Sequence, residues 1–175
     1  MDSLNVDMIV EVPYLSNVKY EFDKEINMMR CDRILNTSMS YPGNYGYIPN
    51  TLSGDGDPLD ILLITDYQIF PGTVVKAKII GVLLTEDEKG EDEKIIAVPC
   101  KKVDPVYSEI SNIYDLSKAT LSKIRHFFNH YKDIEKNKWV KVNGFKKVDE
   151  AIMVYKKSVE VYKKSVEVYK NSLSK

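Results

Sequence analysis

Residues 74–98 read VVKAKIIGVLLTEDEKGEDEKIIAV, and this stretch decides the fold class. The apolar, β-branched run over 74–84 follows the Pro71-Gly72 turn and reads as one long strand. Residues 86–93 form a polar hairpin tip around Gly90, and 95–98 return as the partner strand. Outward from this hairpin, 8–12 is a short apolar run ending at Pro13, and 61–64 is another short strand. Residues 18–22 alternate, with Val18, Tyr20 and Phe22 on one face and Lys19 and Glu21 on the other. The segment 33–53 has little periodicity and contains Pro42, Gly43, Gly46 and Pro49, so it reads as a long working loop. About five short strands without βαβ alternation predict a small closed β-barrel with helices, an α+β protein that is mainly β.

The last third turns helical. Ser117 reads as an N-cap, and Leu121, Ile124, Phe128 and Tyr131 recur at spacings of three and four. Residues 139–142 predict one more strand, and a second helix runs from Val148 toward the end. That helix ends in a repeat: VYKKSVE from Val154, the same heptad from Val161, then VYKNSLS from Val168. Tyr155, Val159, Tyr162, Val166, Tyr169 and Leu173 fall on one helical stripe. The stripe fits either a seam between subunits or a terminal helix lengthened by duplication, and three heptads favour the latter. The chain therefore reads as one domain over 1–153 and a heptad extension of its last helix over 154–175.

Charge is balanced overall but polarised along the chain. Residues 1–100 carry 17 acids against 8 bases, and residues 101–175 carry 9 acids against 17 bases. Opposite halves in one small domain predict a site that handles both cations and anions. No apolar run approaches the ~20 residues that span a bilayer. The first residues, MDSLNVDMIVEV, place acids where a secretory signal has bases, so the expected location is the cytoplasm. Cys31 and Cys100 have no metal-like spacing and read as free thiols.

The chemistry is concentrated in GDGDPLDI, residues 54–61. Asp55, Asp57 and Asp60 stand within six residues, and carboxylates so crowded repel one another unless a hard cation joins them. An EF-hand does not fit, because with Asp55 first the glycine position would fall on Asp60. A second cluster, Glu86, Asp87, Glu88, Glu91, Asp92 and Glu93, lies on the hairpin tip and can converge on the first. Converging carboxylates suit several Mg²⁺ ions, which share their shell with water and phosphate. Lys19, Arg33, Lys94 and Lys132, with the hydroxyls of Tyr45 and Tyr131, supply what a phosphate needs.

DGDPLDI resembles the signature of the soluble family I inorganic pyrophosphatases of the short prokaryotic type. VEVP at Val10, KYEFDKE at Lys19, DR at Asp32, YPGNYGYIPNTL at Tyr41, EDEKGEDEK at Glu86 and HFFNHYKDIEKNKWVKV at His126 resemble further family blocks in order. Only the heptad tail departs. The resemblance implies a five-stranded OB-like barrel with two helices packed outside and a polar cavity. It implies Mg²⁺-dependent hydrolysis of diphosphate to two phosphates by metal-activated water, with Asp57 as general base. Asp55, Asp60 and Asp92 correspond to ligands of the activating ions, and Asp87 with Asp92 to ligands of ions arriving with substrate. Glu21 and Glu11 correspond to supporting acids, Glu21 among the metal-binding set. Lys19, Arg33, Tyr45, Lys94, Tyr131 and Lys132 correspond to phosphate-binding groups. A homohexamer acting on Mg-diphosphate, without nucleic-acid or membrane partners, is the implied assembly.

Two competing readings remain. A nucleic-acid-binding OB-like module would use the barrel mouth, but both acidic clusters would repel phosphodiester backbones. A catalytically dead Mg²⁺-binding relative is disfavoured because every motif carboxylate and cation is present. His126 and His130 have the spacing of a zinc pair but lack an HExxH glutamate and read as helix histidines.

Overall fold

The computed structural model describes residues 4–173. Its strands are β1 (Asn5–Val12), β2 (Val18–Asp23), β3 (Met28–Ile34), β4 (Asn44–Tyr47), β5 (Asp60–Leu63), β6 (Val74–Asp87), β7 (Gly90–Pro99) and β8 (Val140–Lys147). Helix α1 (Lys118–His130) precedes β8, and α2 (Val148–Leu173) follows it directly. The pairings β1–β4, β4–β5, β5–β7, β7–β6 and β6–β1 close a ring of five strands. Among the described residues only β5 and β7 pair in parallel. β8 extends the sheet beyond β6, while β2 and β3 form a separate hairpin.

The ring separates two apolar layers. Val6, Met8 and Val10 of β1 join Ile61, Leu63, Ile95 and Ala97 on one side, with Ala151 of α2. The alternate residues Leu62, Ile64, Ile96 and Val98 join Ile124, Phe127 and Phe128 of α1 on the other. Strands buried on both faces lose the polar alternation of a half-exposed strand, which is why 61–64 and 95–98 are continuous apolar runs. Where β1 crosses β4, a Cβ on Gly46 would lie 1.9 Å from the Ile9 carbonyl oxygen, so no larger residue fits.

Both helices begin where the sequence places them. Ser117 Oγ accepts the Thr120 N–H at 3.0 Å, and Asp149 and Glu150 occupy the first turn of α2, where the helix dipole favours acids. The first copy of the tail heptad packs on the body through Val154 and Tyr155, and the Ser158 carbonyl accepts the Leu52 N–H at 3.0 Å. The stripe then loses cover. Val159, Tyr162 and Val166 are half-buried, Tyr169 is exposed, and the Leu173 side chain lies outside the described residues.

Five local expectations change. The segment read as a working loop contains β4, a strand of only four residues whose period is too short to register. β3 carries no apolar face and is largely exposed, so nothing in its composition announces it. The hairpin tip is much tighter than its polar composition implies: β6 and β7 pair out to Asp87 and Gly90, leaving Glu88 and Lys89 as the turn. The faces of β2 do not divide cleanly, since Lys19, Glu21 and Phe22 all border one cavity. Trp139, exposed, precedes β8 rather than opening it.

Candidate active site

Every residue to which the family resemblance gives a role borders one open cavity of about 420 Å³. The β2–β3 hairpin, the loop over 53–58, the near ends of β5, β6 and β7, and the segment after α1 enclose it. The two acidic clusters do converge there, but selectively. Thr85 faces Asp92 and Asp87 faces Gly90 across β6 and β7, so Asp87 and Asp92 share one side of the hairpin. With the turn residue Glu88 they border the cavity, whereas Glu86, Glu91 and Glu93 do not. Half of the acidic run thus lies off the cavity.

Lys94 stands at the centre. Its ammonium donates to Asp60 Oδ2 at 2.8 Å, to both Asp92 carboxylate oxygens at 3.0 Å, and to Tyr45 Oη at 3.1 Å. Tyr45 Oη donates in turn to Asp60. The Lys94 side chain is only 2% exposed. Burial works to discharge it, but Asp60 and then Asp92 outweigh burial and hold its pKa above the ordinary lysine range. Burial raises the Asp92 pKa, an effect that Lys94 opposes and the nearby Asp60 reinforces. Burial also raises the Tyr45 and Tyr131 hydroxyls, so both stay protonated donors.

The remaining cations are paired around the rim. Lys132 Nζ lies 3.0 Å from Asp87 Oδ2. Burial would raise the Asp87 pKa, but the Lys89 N–H at 2.8 Å and Lys132 outweigh it and lower the pKa. Lys19 Nζ is 3.1 Å from Asp32 Oδ2, which also accepts Arg33 Nε at 2.8 Å. Glu11 accepts the Phe22 N–H at 2.8 Å, yet burial above all, with Asp60 and Glu21 nearby, pushes its pKa up to about 7. Asp55 and Asp57 are exposed on a turn in which Asp55 Oδ1 accepts the Asp57 N–H at 3.1 Å. Gly56, at φ +89°, provides the left-handed backbone between them.

Two acids were not foreseen as site residues: Glu135, which borders the cavity, and Asp32, which pairs with Lys19 and Arg33 behind it. Asp32 neighbours Arg33, and that adjacency was the available signal. Glu135 pairs with Arg33 across 102 residues, a relation no local pattern can show. The zinc-like pair is not gathered into the site: His126 and His130 are exposed on α1, and His130 Nδ1 lies 2.7 Å from Asp133.

Among the described residues no three His, Cys, Asp or Glu side chains are grouped closely enough to hold an ion on their own. The acids bordering the cavity are all carboxylates, without histidine or cysteine, a donor set that fits a hard cation sharing its shell with water and phosphate.

A family model described as "Inorganic pyrophosphatase" matches residues 8–163. The inorganic pyrophosphatase of Saccharolobus solfataricus is 51% identical over 159 residues, covering 91% of this chain and 91% of that protein. That of Helicobacter pylori is 50% identical over 159 residues, covering 91% and 92%. A solved inorganic pyrophosphatase from Helicobacter pylori superposes with a TM-score of 0.89 at 47% identity, covering 93% of this chain and 98% of that one. The Thermus thermophilus inorganic pyrophosphatase gives a TM-score of 0.88 at 42% identity, covering 91% of each chain. With the fold, most of the length and half of the residues shared, the chain belongs to the inorganic pyrophosphatase family, a family of hydrolases.

Proposed function

We propose that this chain is a Mg²⁺-dependent inorganic pyrophosphatase that hydrolyses diphosphate to two phosphates. The observation that carries the reading is the convergence of five aspartates, two glutamates, four cations and two tyrosines, all foreseen from the sequence, on one cavity.

Diphosphate is a concentrated anion, and a second anion attacks it only if its charge is offset. Mg²⁺, when bound, lowers the charge of the diphosphate and acidifies the attacking water. Asp55, Asp60, Asp92, Asp87 and Glu21 would hold such ions, with Glu11 as a supporting acid. Asp57 takes the proton of the attacking water, since it stands exposed between Asp55 and Asp60 on a turn that aims carboxylates at the cavity. Lys94 and Lys132 supply point charges, and Lys19 lies beside the Arg33 fork, which matches two phosphate oxygens. Tyr45 and Tyr131 remain protonated and donate hydrogen bonds to phosphate without adding charge. Charge on the leaving phosphate is stabilised by groups already in place, so little reorganisation is needed.

The same reading carries a homohexamer and a cytoplasmic location. Exposed apolar side chains such as Phe70, Tyr67 and Ile34 leave surface for contact between copies, and the thiols of Cys31 and Cys100 are free. The heptad extension read over 154–175 lengthens α2 and stands apart from the chemistry; its residues 174–175 lie outside the described residues. Phosphate release from Mg-diphosphate by the purified chain tests the activity, and release no faster than the uncatalysed rate overturns it. Sedimentation velocity tests the hexamer.

A further inference from the structure

One ion pair on the cavity rim has no part in the chemistry above. Glu135 lies in the segment after α1 that also carries Tyr131 and Lys132, and its carboxylate joins Arg33 Nη1. Its second partner is Lys138 at 2.9 Å. Arg33 thus has two carboxylates upon it, and they differ in one respect. Asp32 is next to Arg33 on β3 and is fixed by Lys19 as well, so it holds the guanidinium in place. Glu135 comes from the separate segment after α1, 102 residues along the chain, and keeps Lys138 if it leaves Arg33. Burial disfavours its charge, but Lys138 and Arg33 outweigh that and lower its pKa, so it is ionised at neutral pH.

We infer that Glu135 is an affinity-setting residue that occupies the phosphate face of Arg33 and is exchanged for a phosphate of the substrate. This rests on the assignment of Arg33 to phosphate in the proposed function. An arriving diphosphate displaces Glu135, which retreats to Lys138; after cleavage, the carboxylate competes with phosphate for the guanidinium and favours its release. Displacing Glu135 costs the same whichever anion replaces it, so the carboxylate lowers the affinity of Arg33 for diphosphate and for phosphate by the same factor.

Calorimetric titration of the full chain with inorganic phosphate tests this without turnover. Glu135→Gln, which keeps the shape and removes the charge, should bind phosphate roughly fivefold more tightly, the scale of a partly exposed charged pair. Glu135→Asp should stay near wild type. In steady-state assays Glu135→Gln should lower KM for Mg-diphosphate and strengthen inhibition by phosphate by similar factors. Unchanged or weaker phosphate binding in Glu135→Gln overturns the inference, because it would make Glu135 a support for Arg33 rather than a competitor. A wild-type chain that binds phosphate but does not hydrolyse diphosphate removes the proposed function instead, and the binding comparison still decides the role of Glu135.

Discussion

Asp60 and Lys94 occupy directly paired positions on the parallel strands β5 and β7, with Asp60 Oδ2 2.8 Å from Lys94 Nζ. Asp92 approaches the same ammonium at 3.0 Å, so one buried lysine ties together the two acidic clusters that lie far apart in the chain. Asp60→Ala or Asp92→Ala removes a partner from that lysine and a carboxylate from the proposed ion sites. Each should cost about 3 kcal/mol of stability in denaturant titration, the scale of breaking a buried pair. Each should also move the Mg²⁺ activation curve to higher concentration, with activity partly restored by excess Mg²⁺. Unchanged Mg²⁺ curves in both variants would refute a shared ion site.

Asp57→Asn keeps the turn and the neighbouring carboxylates but cannot take a proton. Turnover of Mg-diphosphate should fall roughly 10²–10⁴-fold, the usual contribution of general base catalysis, while calorimetric Mg²⁺ binding changes little. Near-normal turnover at neutral pH assigns the base elsewhere.

Arg33→Lys conserves charge and removes the planar fork. Because the guanidinium pairs with Asp32 while presenting a second edge, the one Glu135 occupies, a lysine cannot keep Asp32 and offer a forked phosphate contact at once. The expected fall in kcat/KM for Mg-diphosphate is about tenfold or more, read from initial rates. Equality with wild type would mean that Arg33 does not bind phosphate.

Glu11 makes stability depend on pH. Its folded pKa, about 7, lies above the ordinary carboxylate value of 4.5, mainly because it is buried. The folded state therefore binds the proton more tightly than the unfolded one. Its contribution is full below pH 4.5 and is lost as pH rises through about 7, by roughly 3 kcal/mol in total. Asp60 and Glu21 push in the same direction and Lys19 opposes them. Urea titrations of metal-free Glu11→Gln and wild type should diverge between pH 5 and 8, with the variant more stable at the alkaline end. Parallel profiles would show that Glu11 does not titrate in this window.

Truncation of residues 165–175 should leave turnover and the sedimentation coefficient unchanged. Val168 and Tyr169 are exposed, and the helix is anchored to the body earlier, at Tyr155 and through the Ser158 carbonyl. A shift to smaller species would identify the repeat as an assembly element.

The chain by itself determined which residue types carry the chemistry and where the main elements run. The apolar runs at 61–64, 74–84 and 95–98, the Ser117 cap and the heptad stripe are local patterns, because side-chain period and capping act over a few residues. The GDGDPLDI turn was equally legible, since carboxylate density is a property of adjacent positions. Tertiary structure alone decided which members of the second acidic run matter. Asp87 and Asp92 face the cavity, while Glu86, Glu91 and Glu93 do not, a division set by the β6–β7 register. The strands β3 and β4 were likewise invisible: one lacks a buried face and the other is too short to show a period. The pairing of Arg33 with Glu135 and the burial of Lys94 between two aspartates also waited on the fold. Each joins distant segments, and a charge becomes dominant only when the closing of the chain removes water around it.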